Sequence, residues 1–251
     1  MADDDSDPPG RAFRRLPSSR RREEIIAAGV EVFGHRPEPD VSIDDVAAAA
    51  GTSRSSVYRY FDGKNELYAA VADRVGRDLT DRLERATGDT PSALLMARLT
   101  LYFDFVEQYA GGYAGILGIS DTRAPDGALA AARAVRDRIC ALTYRTLDVT
   151  DPSPLLELTV RAWIASVESA GVQWLATRTP PRRHIETTLA AQFMTQLVAA
   201  SPLDPLCADR VTWLLGTEPP DSPLAALIQA ITTTFDRRTV IHLAALLAAP
   251  S

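Results

Sequence analysis

Cysteine and histidine are scarce in this chain of 251 residues: two cysteines, Cys140 and Cys207, and three histidines, His35, His184 and His242. The cysteines are too few and too far apart for a disulfide framework, and read as buried or free thiols in a reducing compartment. The histidines stand apart from one another. There is no metal-ligand spacing, no glycine-rich phosphate loop and no nucleophile motif, so no catalytic residue, metal or cofactor is assigned and an enzyme is not expected. No uninterrupted apolar run reaches the roughly 18 residues of a membrane span, and the N-terminus lacks an apolar signal core. A cytoplasmic protein without a membrane partner is expected. Runs of β-branched residues are few, which leaves little material for strands.

Alanine and leucine are abundant instead, and 46% of the residues are hydrophobic. An all-α fold with a substantial core follows. The net charge of −6 and a pI near 5.2 argue against a general nucleic-acid coat, but a local basic patch is enough for a specific reader. Such a patch is present: Arg11, Arg14, Arg15, Arg20, Arg21 and Arg22 come before any acid after Asp7.

Residues 1–17 hold four aspartates, three prolines and the first arginines, too little apolar material to fold. They read as a disordered arm, serving solubility or reaching DNA phosphates or the minor groove. Residues 18–66 form an N-terminal three-helix head. Residues 67–201 form a larger helical body, entered by a long helix to about Ala86 with Leu67, Val71, Val75, Leu79 and Leu83 every fourth position. Thr90-Pro91, Ser153-Pro154, Thr179-Pro180 and Ser222-Pro223 each place a capping hydroxyl before a proline, the signature of a helix start. They predict helices over 91–110, 112–119, 126–147, 154–177, 181–200, 203–215 and 223–248. Residues 202–251, with Trp213, Leu214, Leu227 and Phe235 among many apolar positions, are too hydrophobic for a solvated tail. They form an extra helical extension that packs on the body or on a second subunit.

The most informative stretch is 42–64, SIDDVAAAAGTSRSSVYRYFDGK. Ser42 and Asp45 have the spacing of a capping box, and Asp44 and Asp45 suit the positive end of a helix dipole. Ile43, Val46, Ala47 and Ala50 form an apolar stripe, and Gly51 ends the helix in left-handed backbone space. Ser53 caps a second helix anchored by Val57, Tyr60 and Phe61, leaving Arg54, Ser55, Ser56, Tyr58 and Arg59 outward. An ordinary helical hairpin shares this shape. The Tyr58-Arg59-Tyr60-Phe61 run followed by Lys64 favours a helix-turn-helix gripping phosphates and base edges.

From Arg22 to about Val71 the chain resembles the TetR family of bacterial repressors. The resemblance rests on Ile25, Ala28, Phe33, Ser42, Ile43, Val46, Ala47, Ala50, Gly51, Ser53, Tyr58, Tyr60, Phe61, Lys64, Leu67 and Tyr68. It implies a sequence-specific transcriptional regulator with a double-stranded DNA operator, a homodimer and a small-molecule effector. Most simply this is a repressor released from a palindromic operator, although an activator, or an interaction module with a degenerate head, stays open. Carried over by position, Arg54, Ser55 and Tyr58 read bases, while Ser42, Ser56, Arg59, Tyr60 and Lys64 hold phosphates. Two features depart from the family: the prolines of Gly34–Asp40, where a glycine turn is usual, and Ser55, where glycine or proline is frequent.

The resemblance also implies a four-helix dimer interface from 154–177 and 181–200, with Val167, Ala170, Gly171, Leu189, Phe193 and Leu197 as its residues. The same stripes serve equally as an internal core. An effector pocket is expected among Tyr102, Phe105, Tyr109, Tyr113, Trp163 and Trp174, lined mainly by apolar groups and so suited to a mostly hydrophobic ligand. Arg98 and Arg161, on largely apolar helices, pair with Asp104, Glu107 or Glu168, or meet an anionic ligand.

Overall fold

In the computed structural model, residues 18–116, 126–234 and 238–239 are described, and among them there are helices and no strand. The head begins with α1 (Ser18–His35), which buries Ile25, Ile26 and Phe33. The proline-rich link forms a 3-10 turn at Glu38–Asp40. It is tied down by Arg36 to Asp45 (3.4 Å) and by Lys64 to Glu38 (2.8 Å), which replaces the glycine turn usual at this position. Helix α2 (Ile43–Ala49) opens with the complete capping box: Asp45 N donates to Ser42 Oγ (3.2 Å), and Ser42 N donates to Asp45 Oδ2 (2.7 Å). Gly51, at φ +60°, makes the turn into α3 (Arg54–Tyr58), where Ser53 Oγ accepts from Ser56 N. Val57 and Phe61 are fully buried beneath this hairpin.

Helix α4 (Lys64–Glu84) follows, its Leu67, Val71, Val75, Leu79 and Leu83 buried as the four-residue spacing predicts. At 21 residues it spans about 30 Å. It lies against α1 at one end and against α7 (Asp126–Thr146), past α5 (Pro91–Gln108) and α6 (Tyr113–Ile116), for much of its length. Two glycines permit these approaches. A Cβ on Gly29 would meet Val71 Cγ2 at 2.7 Å, and one on Gly76 would meet Val135 Cγ2 at 2.3 Å. The body continues with α8 (Pro154–Thr177), α9 (Arg182–Ala200), α10 (Pro205–Thr217) and α11 (Pro223–Thr234).

Three of the four hydroxyl–proline pairs begin helices. Thr90 accepts from Ala93 N, Ser153 from Leu156 N and Ser222 from Ala225 N. Thr179-Pro180 does not. That peptide is cis, the next residue is again proline, and α9 starts only at Arg182. The turn is held from the preceding helix, where Trp174 Nε1 donates to the Pro180 carbonyl (3.1 Å). Conversely, Asp204 caps α10 before Pro205, so this helix begins two residues later than expected. The arm 1–17, with Arg11, Arg14 and Arg15, and Phe235 and residues 240–251 of the extension lie outside the described residues. So does the later part of the helix expected over 112–119.

The head is seated on the body through glycines. Gly112 N donates to Gly34 O (3.0 Å) at the end of α1. A Cβ on Gly112 would fall 1.7 Å from Phe33 O, one on Gly111 would fall 2.0 Å from His35 O, and one on Gly34 would strike the Tyr109 ring.

Candidate nucleic-acid interface and ligand cavity

The outward side of α3 is polar because its only buried residue is Val57. Arg54, Ser55, Tyr58 and Arg59 are exposed, with Tyr58 45% accessible despite its ring. Arg54 is the central group. Its guanidinium pairs with Asp44 on α2 (2.6 Å), donates to the Tyr58 hydroxyl (3.4 Å) and lies over the Tyr58 ring. The Tyr58 hydroxyl and the Asp44 charge together raise its pKa, so the cation is secure. Ser55 Oγ bonds Ser53 Oγ (2.9 Å), and Arg59 stacks over the Tyr60 ring (5.3 Å). Lys64 occupies the first turn of α4, where free backbone N–H groups and the helix dipole favour an anion. Ser42, the α2 cap, has its Oγ occupied by Asp45. Of the eight residues expected to face DNA, Arg54, Ser55, Ser56 and Tyr58 lie on α3, Arg59 and Tyr60 in the turn after it, Lys64 at the start of α4, and Ser42 at the start of α2. Arg22 over the Phe61 ring (4.9 Å) buttresses the hairpin from α1.

A cavity of about 380 Å³ lies in the body. Its walls are Leu95, Met96 and Leu99 of α5, Ile139 and Leu142 of α7, Trp163, Ile164 and Val167 of α8, and Phe193, Met194 and Leu197 of α9. Leu83 at the end of α4 also lines it. Of the aromatic residues expected there, Tyr102 and Trp163 contribute and four do not. Phe105 and Tyr109 pack with tilted rings (4.7 Å between centroids), Tyr109 beside the head–body joint. Tyr113 bonds the Tyr102 hydroxyl from the side away from the cavity, and burial pushes the phenol pKa of each upward. Trp174 packs edge-on against Phe103 (5.6 Å), under Arg178. These four are structural core. The aliphatic residues and methionines that build most of the cavity carry no distinctive mark in sequence.

The residues expected at a dimer interface lie mostly within the single chain. Val167, Gly171, Leu189, Phe193 and Leu197 are buried inside the single chain, and Ala170 is half-buried. Three of them, Val167, Phe193 and Leu197, are cavity walls. Apolar periodicity marks the inner face of α8 and α9, because that face has the larger core to fill. Arg161 pairs with Glu157 and Asp137 (3.0 Å each). Arg98 pairs with none of the expected acids. It lines the cavity and donates to the carbonyls of Leu83 (3.2 Å) and Leu142 (3.1 Å) and to the Thr146 hydroxyl. Burial lowers its pKa. Glu168, also in the wall, pairs with Arg136 (2.9 Å), and burial raises its pKa against that attraction.

A helix-turn-helix head with an exposed cationic and aromatic second helix, on an all-helical body with an apolar cavity, has the make-up of a DNA-binding regulator. The comparisons agree on the lineage. Residues 25–71 match the family described as bacterial regulatory proteins, tetR family. Residues 91–196 match the tetracyclin repressor-like C-terminal domain. A TetR-family transcriptional regulator of Streptomyces coelicolor is 32% identical, with a TM-score of 0.81 over 87% of this chain and 99% of that one. The chain belongs to the TetR family of transcriptional regulators. The transcriptional activator FasR of Mycolicibacterium smegmatis is 34% identical over 105 residues, 41% of this chain and 48% of that protein. The chain thus spans about half the length of the curated relatives it matches. The Bacillus subtilis regulator FadR, solved with stearoyl-CoA, shares the fold at 12% identity, with a TM-score of 0.56 over 68% of this chain and 96% of that one. No described helix is long and apolar enough to cross a membrane.

Proposed function

We propose that the protein is a cytoplasmic homodimeric repressor that binds a palindromic operator and is released by a small, mostly apolar effector seated in the body cavity. The reading rests above all on α4. Leu83 near its C-terminus is a cavity wall, and Lys64 at its N-terminus adjoins the reading helix. A ligand that displaces Leu83 therefore moves the element on which the head is mounted. Only a ligand with different affinities for the two body conformations shifts the population of heads. The walls suit a hydrocarbon chain, in keeping with the stearoyl-CoA held by the FadR structure.

Two heads are needed, since one reading helix covers too few bases for tight binding. The dimer forms through the outer faces of α8 and α9, where Leu158 (63% accessible) and Val198 (46%) are exposed beside Ala162, Ala165 and Ser169. Arg54 and Tyr58 read base edges, and Arg59, Tyr60 and Lys64 hold the backbone. Fluorescence anisotropy on a selected operator duplex tests the reading. Saturated straight-chain fatty acids and their coenzyme A thioesters are added in turn, and one or more should release the duplex. Release by none of them, from a dimer that binds the operator, would refute an apolar-chain effector.

A further inference from the structure

The cavity described above is not closed by the family's body alone. The body match ends at residue 196, yet Leu214 of α10, Glu218, and Leu224, Ala226, Leu227 and Ala230 in α11 or at its start also line the cavity. We infer that this extension is a built wall of the effector site that sets the length of the hydrocarbon chain admitted. The inference rests on the cavity being the effector site.

α10 is tied to the body by Arg210, which donates to the Leu147 and Asp148 carbonyls (3.2 Å each), and the linker to α11 is fastened by a compact polar latch. Ser92, in the first turn of α5, donates from both N and Oγ to the two carboxylate oxygens of Glu218 (2.7 Å each). The same Ser92 Oγ accepts from Leu224 N (3.2 Å) at the start of α11. Ser222, buried, caps α11 through Ala225 N (3.1 Å). One serine therefore satisfies both the linker and an otherwise unpaired N–H in the first turn of α11. A carboxylate accepting two bonds at a helix N-terminus is well placed electrostatically. Beyond this latch α11 meets the body mainly across the cavity. Leu224 is buried and Leu227 is half-buried, whereas Ala226 and Ala230, also in the wall, remain exposed to solvent. An apolar helix that covers an open cavity gains its remaining burial from whatever fills that cavity. The chain of the ligand thus completes the packing of α11, and side-chain size at 227 and 230 limits how far the chain extends.

The test uses the full-length protein and a fluorescent, straight-chain polyene fatty acid as probe, displaced by saturated fatty acids of increasing length. Leu227→Trp and Ala230→Trp should weaken the probe by about tenfold. They should also shift the preferred competitor to shorter chains, with the circular dichroism of the unliganded protein unchanged. Glu218→Gln should speed probe dissociation without changing the preferred length. Leu99→Trp, in the part of the wall given by α5, serves as the control. If it abolishes probe binding while the tryptophans at 227 and 230 alter neither affinity nor length preference, the extension is not part of the site, and the cavity remains the effector site. Failure of the wild-type protein to bind the probe at all would instead overturn the cavity reading, and the wall with it.

Discussion

The Asp44 carboxylate of α2 lies 2.6 Å from the Arg54 guanidinium of α3, so the side chain best suited to read a base is held across the helix-turn-helix by an acid of the preceding helix. Both groups are exposed, and such a pair exchanges readily with solvent or a competing acceptor. The pairing keeps the long arginine extended over Tyr58 in the free protein. To bridge guanine O6 and N7, Arg54 must loosen its hold on Asp44. Arg54→Ala is therefore predicted to lower affinity for the operator about 10- to 100-fold and to relax one base position. It should change affinity for random DNA far less. Asp44→Asn should tighten binding to both duplexes, with the gain fading as salt is raised. Anisotropy titrations on the two duplexes at several ionic strengths check both variants.

Lys64 has a different task. Its ammonium is shared with Glu38 (2.8 Å) at the first turn of α4, where a phosphate oxygen would replace or bridge that carboxylate. Lys64→Ala should weaken operator and random DNA by the same factor. It should also reduce the slope of log affinity against log salt by about one unit. A loss confined to the operator would assign Lys64 to base reading instead.

The glycine seat between head and body is predicted to be intolerant of a single methyl. Gly112→Ala places a carbon against the Phe33 carbonyl, which is backbone and cannot swing aside. It should cost about 2–3 kcal/mol in urea unfolding. Gly171→Ala meets side chains alone, the Tyr113 hydroxyl at 2.8 Å, its Cζ at 3.3 Å and Val106 Cγ2 at 3.4 Å, and should cost less. Equal midpoints for the two variants would contradict the packing described for the joint.

Acid should weaken the fold through two caps. The Ser42 hydroxyl, then the Ser42 N–H, hold the Asp45 carboxyl below its ordinary value, and the Ser153 hydroxyl does the same for Asp204. Each folded pKa lies below the unfolded one, so the stabilisation is present above about pH 4 and is lost as the pH falls through the folded values. Ser42→Ala and Ser153→Ala should each flatten the acid limb of stability against pH. Urea midpoints measured between neutrality and strong acid would show it. An unchanged acid limb in both variants would exclude these caps as its source.

The head was legible in sequence because its signals are local. Ser42, Asp45, Gly51 and Ser53 act within a few residues of their own positions, and each does so in the structure as its spacing predicts. Three starts of body helices were legible for the same reason, at Thr90, Ser153 and Ser222, while two others fell elsewhere than expected. At Thr179-Pro180-Pro181 the second proline continues the turn, and Trp174, several residues earlier, supplies a hydrogen bond that no local motif announces. The cavity was poorly legible because it depends on which face of a helix is covered by a distant segment. Phe193 and Leu197 have the periodicity of an interface, yet they face Trp163 and the cavity. Aromatic residues at helical spacing marked the core better than the cavity, which is built mostly from leucine, isoleucine and methionine. The extension read as too apolar for solvent, but the bond from Ser92 to Glu218, across 126 residues, was beyond any spacing argument.

Selection of duplexes from a random DNA pool, with the full-length protein near physiological salt, tests the account most directly. It is run in parallel with Arg54→Ala. The wild-type protein should enrich a palindrome whose half-site centres are separated by whole helical turns, about 34–36 Å or a multiple, and the variant should lose preference at one symmetric position. A folded, dimeric wild-type protein that enriches no sequence would contradict the assignment of α3 as a reader of DNA.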